Sequence, residues 1–110
     1  MLSWEEFEKV DMRVGTIIAV HDFPEARVPA YQLEIDFGPA IGMKRSSAQI
    51  TKLYSKETLI GKQIIAVVNF APKKIAHFYS EVLVLGVVQE DKEIILLHPE
   101  RNAKNGYQIH

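Results

Sequence analysis

The chain has 110 residues, a formal charge of −1 and an apolar fraction of 47%, values that predict one folded domain rather than a disordered chain. The absence of cysteine excludes disulfides, thiolate catalysis and cysteine zinc sites, and it fits the cytosol. The longest uncharged run, ten residues, is too short to cross a bilayer, and the acidic start does not resemble a signal peptide. We therefore expect a cytoplasmic protein without membrane insertion.

The first predicted element is a short N-terminal helix. Ser3 and Glu6 have the spacing of a capping box, and Leu2 and Phe7 have that of a hydrophobic staple. We expect this helix to end near Val10.

Five main strands and one short extra strand follow. The clearest is "YQLEIDF" (31–37), where Tyr31, Leu33, Ile35 and Phe37 alternate with polar residues and share one face. The others are "MRVGTIIAVHDF" (12–23), "MKRSSAQI" (43–50), "KQIIAVVNF" (62–70), "EVLVLGVVQ" (81–89) and the short "IILL" (94–97).

The connection "TKLYSKETLIG" (51–61) is typical of a short helix that ends at Gly61. This order predicts an all-β fold, a five-stranded OB-type barrel with a short N-terminal helix and a short helical insertion between strands 3 and 4. OB-folds bind oligonucleotides on strands 2 and 3 and through the loops that join strands 1–2 and 4–5.

Positive charge is concentrated in the middle of the chain. Residues 42–80 hold seven Lys or Arg and one acid, whereas the remainder holds six Lys or Arg and thirteen acids. Such segregation indicates either a polyanion-binding face or a solvated basic surface. In the predicted barrel, the basic segments are strand 3 and the 4–5 loop "APKKIAHFYS" (71–80), which belong to the binding surface.

Strand 3 supplies four candidate RNA contacts. Arg45, Ser47 and Gln49 share one face, and Lys44 lies on the other face with the apolar Ile50. We therefore prefer Arg45 to Lys44 as a ligand contact, although an ordinary polar strand face has the same pattern.

The 4–5 loop supplies the stronger signal. Lys73 and Lys74 offer two cationic donors, and Phe78 and Tyr79 offer flat surfaces on which bases could stack. The alternative for both aromatic residues is that they plug the end of the barrel. Asn69, just before the loop, is either a further contact or a partner for backbone groups at the strand end.

Arg13 is a less certain candidate, because an ion pair with Asp11 is equally plausible. The four histidines lack the spacing of a metal site, and neither a nucleophile elbow nor a glycine-rich phosphate loop is present. We expect no enzyme activity, metal or cofactor.

The segment "EVLVLGVV" (81–88) carries apolar residues on both faces, although a small barrel has only one inside. The outer face requires a cover, from Trp4 and Phe7 of the chain itself, from a second subunit, or from both. A second subunit would make the protein a homodimer.

Four motifs in order, "DMRVG" (11–15), "SSAQIT" (46–51), "NFAPKKI" (69–75) and "SEVLVLG" (80–86), resemble the stand-alone tRNA-binding domain family and especially the CsaA-like secretion chaperones. They are also similar to the C-terminal tRNA-binding appendage of bacterial methionyl-tRNA synthetases. The family often has Arg where this chain has Lys73, which retains the charge without the bidentate geometry.

The resemblance implies a single tRNA-binding OB-fold domain over residues 1–110, with short terminal extensions, that forms a homodimer. The first function it implies is binding of tRNA, through RNA backbone and shape, on the basic face. The alternative is a CsaA-type chaperone that binds unfolded or precursor polypeptides for the export machinery.

Overall fold

The chain, described from residue 1 to residue 110 by a computed structural model, forms nine strands, three short helices and one 3-10 turn. The helices are α1 (Trp4–Glu8), α2 (Gly38–Ile41) and α3 (Lys56–Leu59), and the 3-10 turn is Glu90–Lys92. The strands are β1 (Met12–Asp22), β2 (Tyr31–Asp36), β3 (Met43–Ala48), β4 (Gln63–Val67), β5 (Lys73–Ile75), β6 (Phe78–Ser80), β7 (Leu83–Val84), β8 (Gly86–Val88) and β9 (Ile94–Leu96).

The central sheet has five antiparallel strands in the order β3-β2-β1-β4-β7. Its two edges approach each other where β3 meets the residues before β7. There the Glu81 N–H donates to the Arg45 carbonyl oxygen at 2.8 Å, and the Ser46 hydroxyl donates to the Val82 carbonyl oxygen at 3.1 Å. The sheet is therefore a nearly closed barrel, and the prediction of an all-β OB-type fold with short helices is confirmed.

The alternation in residues 31–37 fixes which side of β2 faces the core. Leu33, Ile35 and Phe37 are fully buried, and Tyr31 packs at the edge of the same cluster. Along β2, the apolar side chains therefore face the core and the polar side chains face the other side of the sheet, as the alternation predicts.

Two of the three short helices, α1 and α3, begin at capping boxes, which satisfy backbone N–H groups that a first turn leaves free. Ser3 and Glu6 bond reciprocally at the start of α1, and Ser55 and Thr58 do so at the start of α3. The helical insertion between strands 3 and 4 is confirmed. The α1 helix ends at Glu8, slightly before the expected end at Val10.

The 4–5 connection differs from the expected loop, because it is a hairpin formed by β5 and β6. The pairs are Lys73 with Ser80, Lys74 with Tyr79, and Ile75 with Phe78. Ala76, with a φ of 54°, forms the tight turn that glycine usually provides. The absence of a turn glycine is the reason that the sequence does not signal this hairpin.

The predicted strand 81–89 is divided in two. Its first part, β7, pairs with β4, and its second part, β8, leaves the barrel and pairs with β9. The apolar residues of this segment therefore belong to two different sheets, the barrel through β7 and the β8–β9 pair through β8.

The C-terminal tail lies along the first half of β1, where β2 no longer pairs with it. The Gly106 N–H donates to the Val14 carbonyl oxygen at 2.7 Å, and the Ile109 N–H donates to that of Met12 at 2.9 Å. The tail thus extends the sheet by a short irregular strand. None of the helices has the length and apolar character needed to span a membrane.

Candidate nucleic-acid interface

The β5–β6 hairpin presents Lys73 and Lys74 on its two opposite faces, because neighbouring residues of a strand alternate. Both side chains are exposed. Lys73 shares its face with Ser80, and Lys74 shares its face with Tyr79. The hairpin therefore offers one cation to each side.

These cations have no carboxylate partner in the chain. The four ion pairs join Asp11 to Arg13, Glu34 to His21, Asp22 to Lys56, and Glu100 to Arg101. Neither hairpin lysine takes part, and neither does Arg45.

Lys56 is a contrasting case within the same basic segment. Its ammonium group donates to the Asp22 carboxylate at 2.8 Å, and this hydrogen bond, together with the charge of Asp22, raises the pKa of Lys56 above its ordinary value. The basic segment is therefore divided by the fold, since Lys56 is paired whereas Lys73 and Lys74 are free.

The β3 strand has the predicted orientation. Arg45 is exposed and Ser47 half-buried on the outer face, whereas Ser46 is fully buried on the inner one. Lys44 is half-buried and lies opposite Ile35 in register. Gln49 is exposed just beyond the strand and, with Ser47 and Lys73, lines one groove. Arg45 rather than Lys44 is the accessible cation.

Phe78 lies beneath Arg45, whose guanidinium carbon is 4.3 Å from the centre of the Phe78 ring. Only 3% of Phe78 is exposed, and its ring packs 5.3 Å from that of Phe23. Phe78 is therefore buried with Phe23 and Ala30 in a small cluster apart from the main core, and the structure favours burial over base stacking for this residue. Tyr79, 52% exposed, is the accessible aromatic residue of the hairpin.

Arg13 and Asn69 are both committed to structural bonds around Asp11. Arg13 donates to the Asp11 carboxylate at 2.6 Å and to the Gly106 carbonyl oxygen at 3.0 Å. Asn69 accepts from the Asp11 N–H at 3.1 Å and donates to the Lys9 carbonyl oxygen at 2.7 Å. For both residues, the structure favours the alternative to RNA contact.

An apolar groove of about 450 Å³ lies between the end of β3, the hairpin and β7–β8. Ile75, Val82 and Val84 line it, and its lining also includes polar residues: Ser47, Gln49, Lys73 and Ser80.

The apolar surface near this groove is not covered by α1. Val88 is 73% exposed, and Leu83 is also exposed. Trp4 is itself 85% exposed, and it and Phe7 line a different pocket with Ile109 in the tail. Of the alternatives for covering the outer face of 81–88, the structure does not favour cover by Trp4 and Phe7.

Gln32 was missed by the sequence analysis. It lies directly opposite Ser47 on the outer face of β2 and β3. The alternation of 31–37 gives its face, but its neighbour depends on the register between the strands, which the sequence alone does not specify. The structure contains no group of three or more His, Cys, Asp or Glu that could hold a metal ion.

The barrel and its surface are those of a family of binding domains. The family model described as "Putative tRNA binding domain" matches residues 12–108, and the chain belongs to that family. The family's description is that of a binding domain.

Solved structures of similar sequence are CsaA chaperones, which confirms the resemblance to CsaA-like proteins. The chain is 55% identical to chaperone CsaA from Bacillus anthracis str. Ames, with a TM-score of 0.95 and coverage of 100% of this chain and 99% of that one. It is 53% identical to the CsaA chaperone protein from Picrophilus torridus, with a TM-score of 0.94 and full coverage of both chains.

Curated relatives include much longer proteins. The chain is 32% identical, over 108 residues, to the methionine–tRNA ligase of Pyrococcus furiosus, an alignment that covers 98% of this chain and 14% of the ligase. The chain thus spans about one seventh of these relatives, and it does not contain their catalytic part. A MetRS-related protein from Pyrococcus horikoshii, 24% identical with a TM-score of 0.87, shares the fold over 100% of this chain and 98% of that one.

Proposed function

We propose that the chain binds tRNA through the β5–β6 hairpin and the outer face of β3, recognising RNA backbone and shape. The observation that carries this proposal is that Lys73, Lys74 and Arg45 are exposed cations outside the four ion pairs of the structure. The family's description as a putative tRNA-binding domain supports tRNA as the partner.

The chemistry of these side chains suits phosphate oxygens. Each lysine ammonium is a flexible point charge with three donors, and the Arg45 guanidinium is a planar fork that can bind one phosphate through two hydrogen bonds. Ser47 and Gln49 supply neutral polar groups beside them. Such contacts position an RNA without reading its sequence.

The test is the double substitution of Lys73 and Lys74 by Ala. Binding to different tRNAs should weaken by similar factors, because the lost contacts are to phosphates. The slope of log K against log salt should flatten by roughly 0.7 to 0.9 per phosphate contact removed. Fluorescence anisotropy at several salt concentrations measures both effects.

Replacing Lys56 and Lys62 by Ala is the matched control, since it removes the same charge elsewhere on the surface. It should change tRNA affinity much less, because Lys56 is already paired with Asp22. Equal losses in the two double variants would show that only net charge matters and would contradict the proposal.

A second candidate function is that of a CsaA-type chaperone for unfolded or precursor polypeptides on their way to export. The observation that favours it is the apolar groove of about 450 Å³ beside the hairpin, lined by Ile75, Val82 and Val84. An extended apolar peptide should bind there with little dependence on salt. Tight peptide binding in the Lys73/Lys74 variant, with wild-type tRNA affinity retained, would place this function ahead of the first.

The exposed apolar residues also support a two-fold homodimer, because Leu83, Val88 and Trp4 have no cover within the chain. Light scattering at micromolar concentration should give twice the chain mass, and a monomer mass would contradict this state. We propose a cytoplasmic location for the protein.

A further inference from the structure

A small pocket of about 190 Å³ lies between the loop that joins β1 to β2 and the turn of the β5–β6 hairpin. Phe23 and Glu25 of the loop, Gln32 of β2, Arg45 of β3, and His77 and Phe78 of the hairpin line it. Pockets for drug-sized ligands are larger, roughly 300–1,000 Å³. The volume fits one planar ring system rather than an extended ligand.

The Arg45 guanidinium forms a flat platform in this pocket. It lies over the Phe78 ring, 4.3 Å from its centre, and Phe78 is supported from the side by Phe23. Arg45 is exposed, so its side chain remains accessible to a ligand. Unstacked RNA bases are commonly held against arginine planes of this kind.

The positive charge of Arg45 is not paired with a carboxylate, although Glu34 lies directly opposite it in register. That acid, Glu34, instead binds His21 through a contact of 2.8 Å between Nε2 and Oε2. Arg45 takes part in no ion pair. The guanidinium is therefore free for a ligand.

Two further polar side chains of the pocket have no hydrogen-bond partner within the chain. Gln32 carries both an amide donor and an acceptor oxygen, and Glu25 carries a carboxylate that only accepts. A carboxylate is unfavourable beside phosphates, since both are negative. A carboxylate in a basic surface can, however, accept hydrogen bonds from a ligand that carries N–H groups.

We infer that this pocket binds one unstacked base of the RNA and that it prefers guanine. The inference rests on the proposed RNA-binding function and adds a base-reading contact to it. Guanine places two N–H donors, N1–H and the N2 amine, beside the O6 acceptor on its Watson–Crick edge. Glu25 accepts from the two donors, Gln32 donates to O6, and the base stacks on Arg45.

The test uses single-stranded RNAs of uridine with one central nucleotide that is guanosine, inosine or uridine. Fluorescence anisotropy should show that the guanosine RNA binds about tenfold more tightly than the uridine RNA, as a well-formed bidentate base contact predicts. Inosine lacks the N2 amine and should bind with intermediate affinity.

Glu25→Gln separates base reading from general affinity. Glu25 is exposed in a loop, so the substitution should leave the fold intact. The preference for guanosine over inosine should disappear, and the uridine RNA should bind at least as tightly as before, because one negative charge is removed. Lys74→Ala is the control, and it should weaken all three RNAs by the same factor.

The outcomes distinguish this inference from the function on which it rests. If all three RNAs bind equally, or if Glu25→Gln leaves the guanosine preference unchanged, the base pocket is wrong and the RNA-binding function stands. If no RNA binds in a salt-dependent manner, both are wrong. If free guanosine monophosphate binds as tightly as the guanosine RNA, the pocket serves a free nucleotide and the assignment to RNA is overturned.

Discussion

Two regions of the molecule, the surroundings of the C-terminal tail (the tail end) and the β5–β6 hairpin (the hairpin end), use their polar side chains in opposite ways. At the tail end, Arg13 binds Asp11 and Gly106, and Asn69 binds Asp11 and Lys9. At the hairpin end, Lys73 and Lys74 have no ion-pair partner.

The sequence presents these residues as similar candidates, and only the fold distinguishes them. The half-buried Arg13 and the exposed Asn69 find hydrogen-bond partners within the chain, whereas the exposed Lys73 and Lys74 have no ion-pair partner and remain free for a ligand. Substitutions at the tail end should therefore change stability, and substitutions at the hairpin end should change RNA binding.

The largest expected effect is at Gly106, where the tail turns against the Phe37 backbone. Its φ is +87°, and a β-carbon would collide with the Phe37 carbonyl oxygen. Gly106→Ala should lower the free energy of unfolding by about 3 kcal/mol, since conformational strain and a steric clash add. Urea denaturation measures the change.

Gly61→Ala is the control for that substitution, because Gly61 has a φ of +89° but open space around its α-carbon. It should lower stability by only about 1 kcal/mol, the cost of the left-handed conformation. Equal losses in the two variants would show that the clash with the Phe37 carbonyl oxygen adds nothing to the cost at Gly106.

A smaller effect compares the two arginines directly. Arg13→Ala removes a half-buried ion pair and a bond to the tail, and it should lower the free energy of unfolding by about 1–2 kcal/mol. Arg45→Ala removes a cation–π contact and should lower it by less than about 1 kcal/mol. Thermal or urea unfolding gives both values.

RNA affinity should show the reverse order for these variants. Arg45→Ala should weaken binding severalfold, whereas Arg13→Ala should bind normally under conditions where it is folded. A loss of RNA binding in folded Arg13→Ala would show that the tail end contributes to RNA binding as well, contrary to the comparison.

The smallest effect is expected in α1, which lies beside the tail. The backbone and side-chain hydrogen bonds with Ser3 lower the pKa of Glu6 from its ordinary value of 4.5. A lowered pKa means that the stabilising contribution is present above that value and is lost as the pH falls through the lower, folded-state value. Acidification should therefore fray the first turn of α1.

Fluorescence of Trp4, the only tryptophan, reports this change between pH 7 and about pH 2. Glu6→Gln retains an acceptor for the capping box without the titrating group, and it should remove the acid step. A step that persists in Glu6→Gln would have to come from another group.

Local patterns predicted much of the fold because their physical causes lie within a few residues. The alternation of 31–37 determined which face of β2 is buried, and the capping box at Ser3 marked the start of α1. The hairpin turn was missed because Ala76 adopts a conformation that usually requires glycine.

The candidate site was harder to predict because partners distant in sequence decide whether a side chain is free. Arg13 is bound by Gly106, far along the chain, and Phe78 is buried against Phe23. Neither contact has a local signature, so the sequence left both alternatives open. Exposure of Arg45 followed from strand alternation and was predicted correctly.

The pairing of the tail with β1 also has a consequence for biosynthesis. Arg13 is paired with Gln108, 95 residues later in the chain. At about 5–20 residues per second, a ribosome takes roughly 5–20 s to make that partner. Until then, the edge of β1 from Met12 to Val14 exposes unpaired backbone groups, which are a template for pairing between nascent chains. The folding step that closes this edge is necessarily late, and its loop closure spans nearly the whole chain.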